Sequence, residues 1–239
     1  MKNLISLISL VTFIIIAAAS CSSPEPDSIT SRTYDISDFK SLNLEVIGDI
    51  VYEQTDSFYL NAAGSSTLID ALNVSNNNGK LSIVLNDKDK FSKSKKELVI
   101  KVGSPSLESI NLESIGKLHL KNSVQGNKLE ITNKGIGEIK IDDCHVNTFM
   151  LTSKSVGSIE VKGSANDINI NMEGVGKIDC SEFKAKNAEV VSKGTGSVSV
   201  FAQERIDITL EGVGSVKYYG NPADVKTDIS GIGKVERMD

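Results

Sequence analysis

The chain has 239 residues and a net charge of −5, from 26 Lys and Arg against 31 Asp and Glu. The two signs are well mixed, which argues against nucleic-acid binding, a task that calls for a basic face. Aromatic residues make up 5% and tryptophan is absent, a composition that suits aliphatic ladders better than a sugar-stacking enzyme cleft.

Residues 1–20 read as a secretory signal peptide: Lys2 gives a positive start, Leu4 to Ala18 is apolar, and small residues follow. The stretch is short for a membrane-spanning helix. Ala18-Ala19-Ser20-Cys21 is similar to a bacterial lipobox, departing at Ala18, where leucine is commoner. That similarity implies a diacylglycerol on the Cys21 sulfur and a third chain on its amine, enough for stable anchoring. The expected membrane partner is therefore reached through Cys21, with residues 21–35 as a polar tether and 36–239 as the folded domain.

Residues 36–106 read as an irregular N-terminal cap. Leu42 to Tyr52 contains an apolar-glycine corner at Ile47-Gly48, with Ile50 and Tyr52 two and four residues later, and has the look of an outlying coil. Phe58 to Ala62 reads as a strand. Ser65 to Leu72 can make two helical turns with Ser65 or Ser66 as N-cap and Leu68, Ile69 and Leu72 available for burial. Asn76 to Gly79 is a turn, and Leu81 to Leu85 and Leu98 to Val102 are strands. Between them Lys88, Lys90, Lys93, Lys95 and Lys96 form a basic run that keeps a loop soluble and guards an edge, or touches anionic glycan or lipid.

From residue 107 to 239 one phrase recurs seven times: Ser114-Ile115-Gly116, Gly135-Ile136-Gly137, Ser155-Val156-Gly157, Gly174-Val175-Gly176, Gly194-Thr195-Gly196, Gly212-Val213-Gly214 and Gly231-Ile232-Gly233. The spacings are 21, 20, 19, 20, 18 and 19 residues, the mark of a solenoid. Apolar columns lie eight and six residues before each second glycine and two and four after it, with polar residues between. That is period two, so each repeat is expected to carry two short strands with one face inward. The excess of Ile and Val agrees with strand. Gly116, Gly137, Gly157, Gly176, Gly196, Gly214 and Gly233, with Gly48 below them, are expected to form a structural column of stacked corners. Four residues before the glycine, Asn133, Ser153 and Ser192 suggest that the alternation lapses. The apolar residue just before each glycine is then expected to turn inward. Three residues before it, Glu113, Lys134, Lys154, Glu173, Lys193 and Glu211 offer opposite charges between several neighbouring coils. The fold class is thus all-β, a parallel β-helix of coils of about 20 residues.

Little in the chain points to catalysis. None of the Gly-x-Gly phrases continues as Gly-x-Gly-x-x-Gly, and no nucleotide cofactor is expected. His119 and His145 lack metal-ligand spacing, so no metal site is expected; His119 is placed on an outer face and His145 in a loop. Asp142-Asp143, beside Cys144 and His145, could hold calcium or act as acid and base, but reads better as a solvated turn. Cys144 and Cys180 fall two coils apart, about 9.6 Å, beyond disulfide reach. Cys180 is a small core residue.

Phe39-Lys40-Ser41-Leu42, the strand Leu42 to Tyr52, Gly79-Lys80-Leu81-Ser82-Ile83, Ser104-Pro105-Ser106-Leu107 and the glycine repeats resemble the auto-transporter adhesin, head GIN domain family over roughly residues 36–235. The resemblance implies a right-handed β-helix in the bacterial cell envelope, often on lipoproteins. The expected function is a non-enzymatic envelope lipoprotein at the outer membrane, binding a glycan or protein ligand. The alternatives are a polysaccharide-processing β-helix enzyme and a periplasmic structural or assembly factor.

Overall fold

The computed structural model describes residues 28–86 and 98–239. The signal peptide, Cys21 with the first part of the tether, and the run from Lys88 to Lys96 lie outside the described residues. In chain order the elements are β1 (Ile29–Thr33), β2 (Ser41–Glu45), β3 (Asp49–Gln54), β4 (Tyr59–Ser65), the helix α1 (Ser66–Ala71), β5 (Leu72–Asn77), β6 (Lys80–Leu85), β7 (Val99–Ser104) and β8 (Ser109–Leu112). The repeats follow as β9 (Ile115–Asn133), β10 (Ile136–Ser153), β11 (Val156–Met172), β12 (Val175–Ser192), β13 (Thr195–Leu210), β14 (Val213–Tyr219), β15 (Asp224–Ile229) and β16 (Ile232–Arg237). Among the described residues no helix is long and apolar enough to cross a membrane.

The regular part is a parallel β-solenoid. Each coil pairs with the next in parallel, glycine on glycine, so that Gly116, Gly137, Gly157, Gly176, Gly196, Gly214 and Gly233 share one register column. Where two short strands per repeat are expected, β9 to β13 are continuous strands of 16 to 19 residues. They bend without breaking. One bend sits at the glycine, and another at the register shift after Ile141 and its equivalents. The last phrase, Gly231-Ile232-Gly233, opens only β16, so the repeats make six coils and a final strand rather than seven coils.

The glycine column exists because the backbone itself fills the inside of the corner. Gly176 has φ +145°, and a Cβ there would stand 1.8 Å from the carbonyl oxygen of Gly157. The same oxygen-on-Cα stacking repeats from Gly137 to Gly214. Because this positive φ takes up the bend alone, the in-out alternation passes through the corner unbroken. Leu112, Asn133, Ser153, Met172, Ser192 and Leu210 are all buried, so the expected lapse four residues before the glycine does not occur. The small polar members are satisfied locally: Asn133 Oδ1 accepts the Gly135 N–H at 3.0 Å, and the Ser153 and Ser155 hydroxyls lie 2.8 Å apart.

Unbroken parity also overturns the expectation that the residue before each glycine turns inward. Ile115, Ile136, Val156, Val175 and Val213 are 48 to 54% exposed and Ile232 77% exposed, with Thr195 exposed in the same column. The corner carries an outward aliphatic ridge.

The N-terminal segment is less a separate cap than a reordered start of the stack. β2 and β3 form a coil whose Gly48 carbonyl lies beneath Gly116. β8 and β9 pair with this coil on one side (Leu42 with Ile110, Ile50 with Leu118) and β6 and β7 on the other (Leu42 with Leu81, Ile50 with Ile100), all parallel. Antiparallel strands then close the outer edge: β4 on β7, β1 on β4, and β5 on β6. The β5–β6 hairpin turns on Asn78 and Gly79, both with positive φ, the geometry that matches strand twist. Helix α1, with Ser65 at its N-cap, buries Leu68 and Ile69 against this end. Such a mixed end stops end-on pairing of the solenoid. At the opposite end β15 is exposed along its whole length.

Aliphatic columns fill the interior, each fully buried side chain contributing about 1.5–3 kcal/mol. Phe149 of β10 and Phe183 of β12, two coils apart, meet in the interior with ring centroids 5.1 Å apart and planes tilted by 45°. The buried Tyr52 hydroxyl lies 3.0 Å from Ser104 Oγ, and burial pushes its pKa up to about 12. Cys144 and Cys180 are both free and buried; burial pushes the Cys144 thiol up to about 12 and raises Cys180 as well, so neither is a nucleophile in the native fold.

The corner model has a direct test in the middle of the stack. Gly176→Val combines an unfavourable φ with backbone overlap and is expected to destabilise by about 2–4 kcal/mol or more. Lys177→Val, one residue on and exposed, is expected to cost under about 1 kcal/mol. Urea denaturation of the two variants measures the contrast, and equal small effects would refute the stacked corner.

Candidate functional site

Strand parity dictates what the outer faces can present. On β11, β12 and β13 the residues Asp167, Asn169, Asn187, Glu189, Arg205 and Asp207 alternate with core positions and point outward. Together they line a shallow open trough of about 600 Å³. It continues towards the glycine corner past Met150, Asn171, Val191 and Lys193, with Asn169 and Glu189 shared by both parts. Single residues in each coil are unremarkable; the stacking of coils places four rows of them side by side.

The trough mixes donors and acceptors on a rigid sheet. Asn187 Nδ2 donates to Asp167 Oδ1 at 2.9 Å. Asp207 lies within reach of Arg205 at 3.7 Å and Lys226 at 3.3 Å. Asn171 Nδ2 donates to Glu173 at 3.1 Å, while its Oδ1 is buried and lacks a partner. An unsatisfied buried acceptor is costly. At the far rim the exposed amides of Asn127, Asn147 and Asn166 form a hydrogen-bonded stack at 2.9 and 2.7 Å. No aromatic ring lines the trough, so recognition there would rest on hydrogen bonds.

The acidic cluster is arranged differently from expectation. Asp142, Asp143 and His145 are not in a turn or loop; all lie within β10, at the register shift that makes its second bend. The carboxylates therefore point to different partners. His119 Nε2 is 2.9 Å from Asp142 Oδ2 without the alignment of a good hydrogen bond. Desolvation tends to raise the Asp142 pKa, but His119, the Asn122 N–H and Lys140 outweigh it and hold the carboxyl below its ordinary value. His145 Nε2 meets Asp143 Oδ2 at 2.9 Å and its Nδ1 meets Ser164 Oγ at 2.8 Å. Ser164 comes from the next coil, a contact invisible in sequence without the register. The result is an Asp-His-Ser relay on an exposed bend. Among the described residues no group of three or more His, Cys, Asp or Glu is placed to hold a metal ion.

The remaining sequence candidates divide cleanly. Gly48, Gly116, Gly137, Gly157, Gly176, Gly196, Gly214 and Gly233 come together as the corner column and act through the fold. Lys134 pairs with Glu113 at 2.8 Å, Lys154 with Glu173 at 2.9 Å and Lys193 with Glu211 at 3.3 Å, as the charge alternation suggested. Cys21 and the lysine run lie outside the described residues. The trough and the ridge were missed, the first because its rows are spread over four repeats, the second because the corner was expected to reverse parity.

Crystal structures that share this architecture include the following three. A putative adhesin from Bacteroides fragilis is 26% identical, with a TM-score of 0.85 over 89% of this chain and 98% of its own. A putative adhesin from Parabacteroides distasonis is 20% identical, with a TM-score of 0.68 over 89% and 98%. A protein from the same species named a putative lipid binding protein is 22% identical, with a TM-score of 0.62 over 88% and 97%. No curated protein matches the chain. The family model described as "Putative auto-transporter adhesin, head GIN domain" matches residues 38–222, which takes in the reordered first coil, the glycine column as far as Gly214 and the trough, and the chain belongs to that family.

Proposed function

We propose that this protein is a non-enzymatic lipoprotein of the bacterial cell envelope, anchored at the outer membrane through Cys21, whose solenoid holds the polar trough out to a glycan or protein ligand. The observation that carries the reading is the trough itself: amides and carboxylates from β11 to β13, held at fixed spacing beside Thr148 and Thr152 of β10. Sites built on sheets hold their geometry better than sites on loops, and an open, polar surface suits an extended hydroxylated or peptide ligand rather than an acyl chain. The lipid-binding name of one structural neighbour therefore supports no similar role for the trough. The family's adhesin description agrees with surface display. A periplasmic assembly role is separated from it by protease accessibility on intact cells.

Hydrolysis is the second reading, and one observation favours it: the Asp143-His145-Ser164 relay. Its hydroxyl could be activated by the imidazole in the manner of a nucleophile–base–orienter set. The relay is exposed, and hydrogen bonds in water confer little activation.

Three outcomes are expected. Cys21→Ala moves the protein out of the membrane fraction; full retention without cleavage would identify the leader as a membrane anchor. In a glycan and peptide array, Asn169→Ala with Glu189→Ala weakens binding of any ligand captured by the parent roughly tenfold or more, the effect of losing two hydrogen bonds of about 1 kcal/mol each, with the thermal midpoint little changed. Undiminished capture would place binding elsewhere. With p-nitrophenyl esters and acetylated polysaccharides, Ser164→Ala is expected to match the parent at background; turnover lost in that variant would establish the hydrolytic reading instead.

A further inference from the structure

Among the described residues, six of the nine large apolar side chains left exposed stand in the outward ridge. Ile115, Ile136, Val156, Val175, Thr195, Val213 and Ile232 are register partners in successive coils, so six spacings of about 4.8 Å make a strip about 29 Å long. Among the described residues nothing covers this strip, and contiguous exposed apolar surface marks an interaction site.

The charges beside it indicate the occupant. One flanking column, two residues before the ridge, reads Glu113, Lys134, Lys154, Glu173, Lys193, Glu211, Ser230; the other, two after it, reads Lys117, Glu138, Ser158, Lys177, Ser197, Ser215, Lys234. We infer that the ridge is a self-association surface on which two copies pair side by side, ridge to ridge and parallel, about a two-fold axis along the solenoid.

That operation sets each row of one column against the same row of the partner's other column. Glu113 then meets Lys117 of the partner subunit, Lys134 meets Glu138 of the partner subunit, and Glu173 meets Lys177 of the partner subunit. The remaining four rows each set a charge against serine, and no like charges meet. The ridge rows face their own copies, so the polar Thr195 meets threonine. Antiparallel pairing over the same length gains only Lys134 against Glu211 and otherwise sets like against like: Glu173 and Lys177 each face themselves, Lys154 faces Lys193, Lys117 faces Lys234, and Thr195 faces Val156. Like charges placed opposite disfavour that register. The mixed signs on both flanks also disfavour an anionic membrane as occupant, which would call for a basic border. The parallel pairing stops below Ile115. There Ile47 is partly buried, and Glu45 would meet Asp49.

The contact belongs at the small end of specific interfaces, about 1,200 Å² in total, so it is best trapped in place. The full chain is expressed in cells with one ridge cysteine at a time and treated with a short membrane-permeant bismaleimide; Cys144 and Cys180 are buried, and the parent chain, which keeps Cys21, sets the background against which dimer is scored. Ile115→Cys, Thr195→Cys and Ile232→Cys are each expected to give a covalent dimer on denaturing gels, while Glu189→Cys in the trough stays monomeric. Glu113→Lys in the Ile115→Cys chain is expected to lower the dimer yield several-fold, and adding Lys117→Glu to restore it. Dimer from none of the three ridge positions overturns the proposal, as does equal dimer from Glu189→Cys. Dimer only when Ile115→Cys and Ile232→Cys chains are mixed, with neither alone, overturns the parallel geometry in favour of the antiparallel one. Ridge cysteines that stay monomeric but are protected from the reagent by added vesicles would assign the ridge to lipid and likewise overturn the proposal.

Discussion

A carbonyl oxygen resting on the α-carbon of the glycine one coil away is the contact around which this molecule is arranged. With 1.8 Å between that oxygen and the place a Cβ would occupy, the corner admits no side chain, and the chain must supply a glycine about every 20 residues. Everything else follows from the resulting register. Because the bend is taken by backbone angles alone, strand parity survives it, the aliphatic columns stay inside for the whole of β9 to β13, and the outer faces become regular arrays of polar residues. The same geometry that makes the core continuous makes the surface repetitive.

Most of the architecture could be read from residue spacing. The glycine period defined the coils, the Ile and Val columns defined the core, and Ile47-Gly48-Asp49-Ile50 marked a coil far from the regular ones. Asn78-Gly79 marked its turn because only a few residues accept positive φ in succession. Harder to see was what depends on direction at a single residue. Whether Ile136 points in or out depends on whether the corner costs an odd or an even number of residues, and composition does not say; only the φ of Gly137 does. The error was consequential, since it hid a surface seven residues long.

The candidate site was less readable for a related reason. Asn169, Glu189 and Asp207 are ordinary strand residues one at a time, and their meaning comes from lying beside one another. Ser164 reaches His145 across 19 positions because Gly163 sits over Cys144 at the second bend. Sequence carries the period of such arrays but not the local register shifts that decide which columns align. Cluster reading by proximity along the chain, applied to Asp142-Asp143, grouped residues that the strand sends to different partners.

The order of coils at the N-terminal end bears on how the molecule would carry load. A protein held by its N-terminal side and bound to a ligand farther along the stack is pulled through β1. That strand lies antiparallel on β4 at the outer edge and is exposed, so its five rungs can open one at a time. Beyond it, β2 and β3 lie between β6–β7 and β8–β9, bonded on both edges and in the same direction. A strand gripped on both sides has no free edge from which to peel, and tension drawn along it must slide two ladders at once. The entry of the chain into the middle of its own stack, rather than at the end, would thus work as a mechanical clamp in a protein loaded that way.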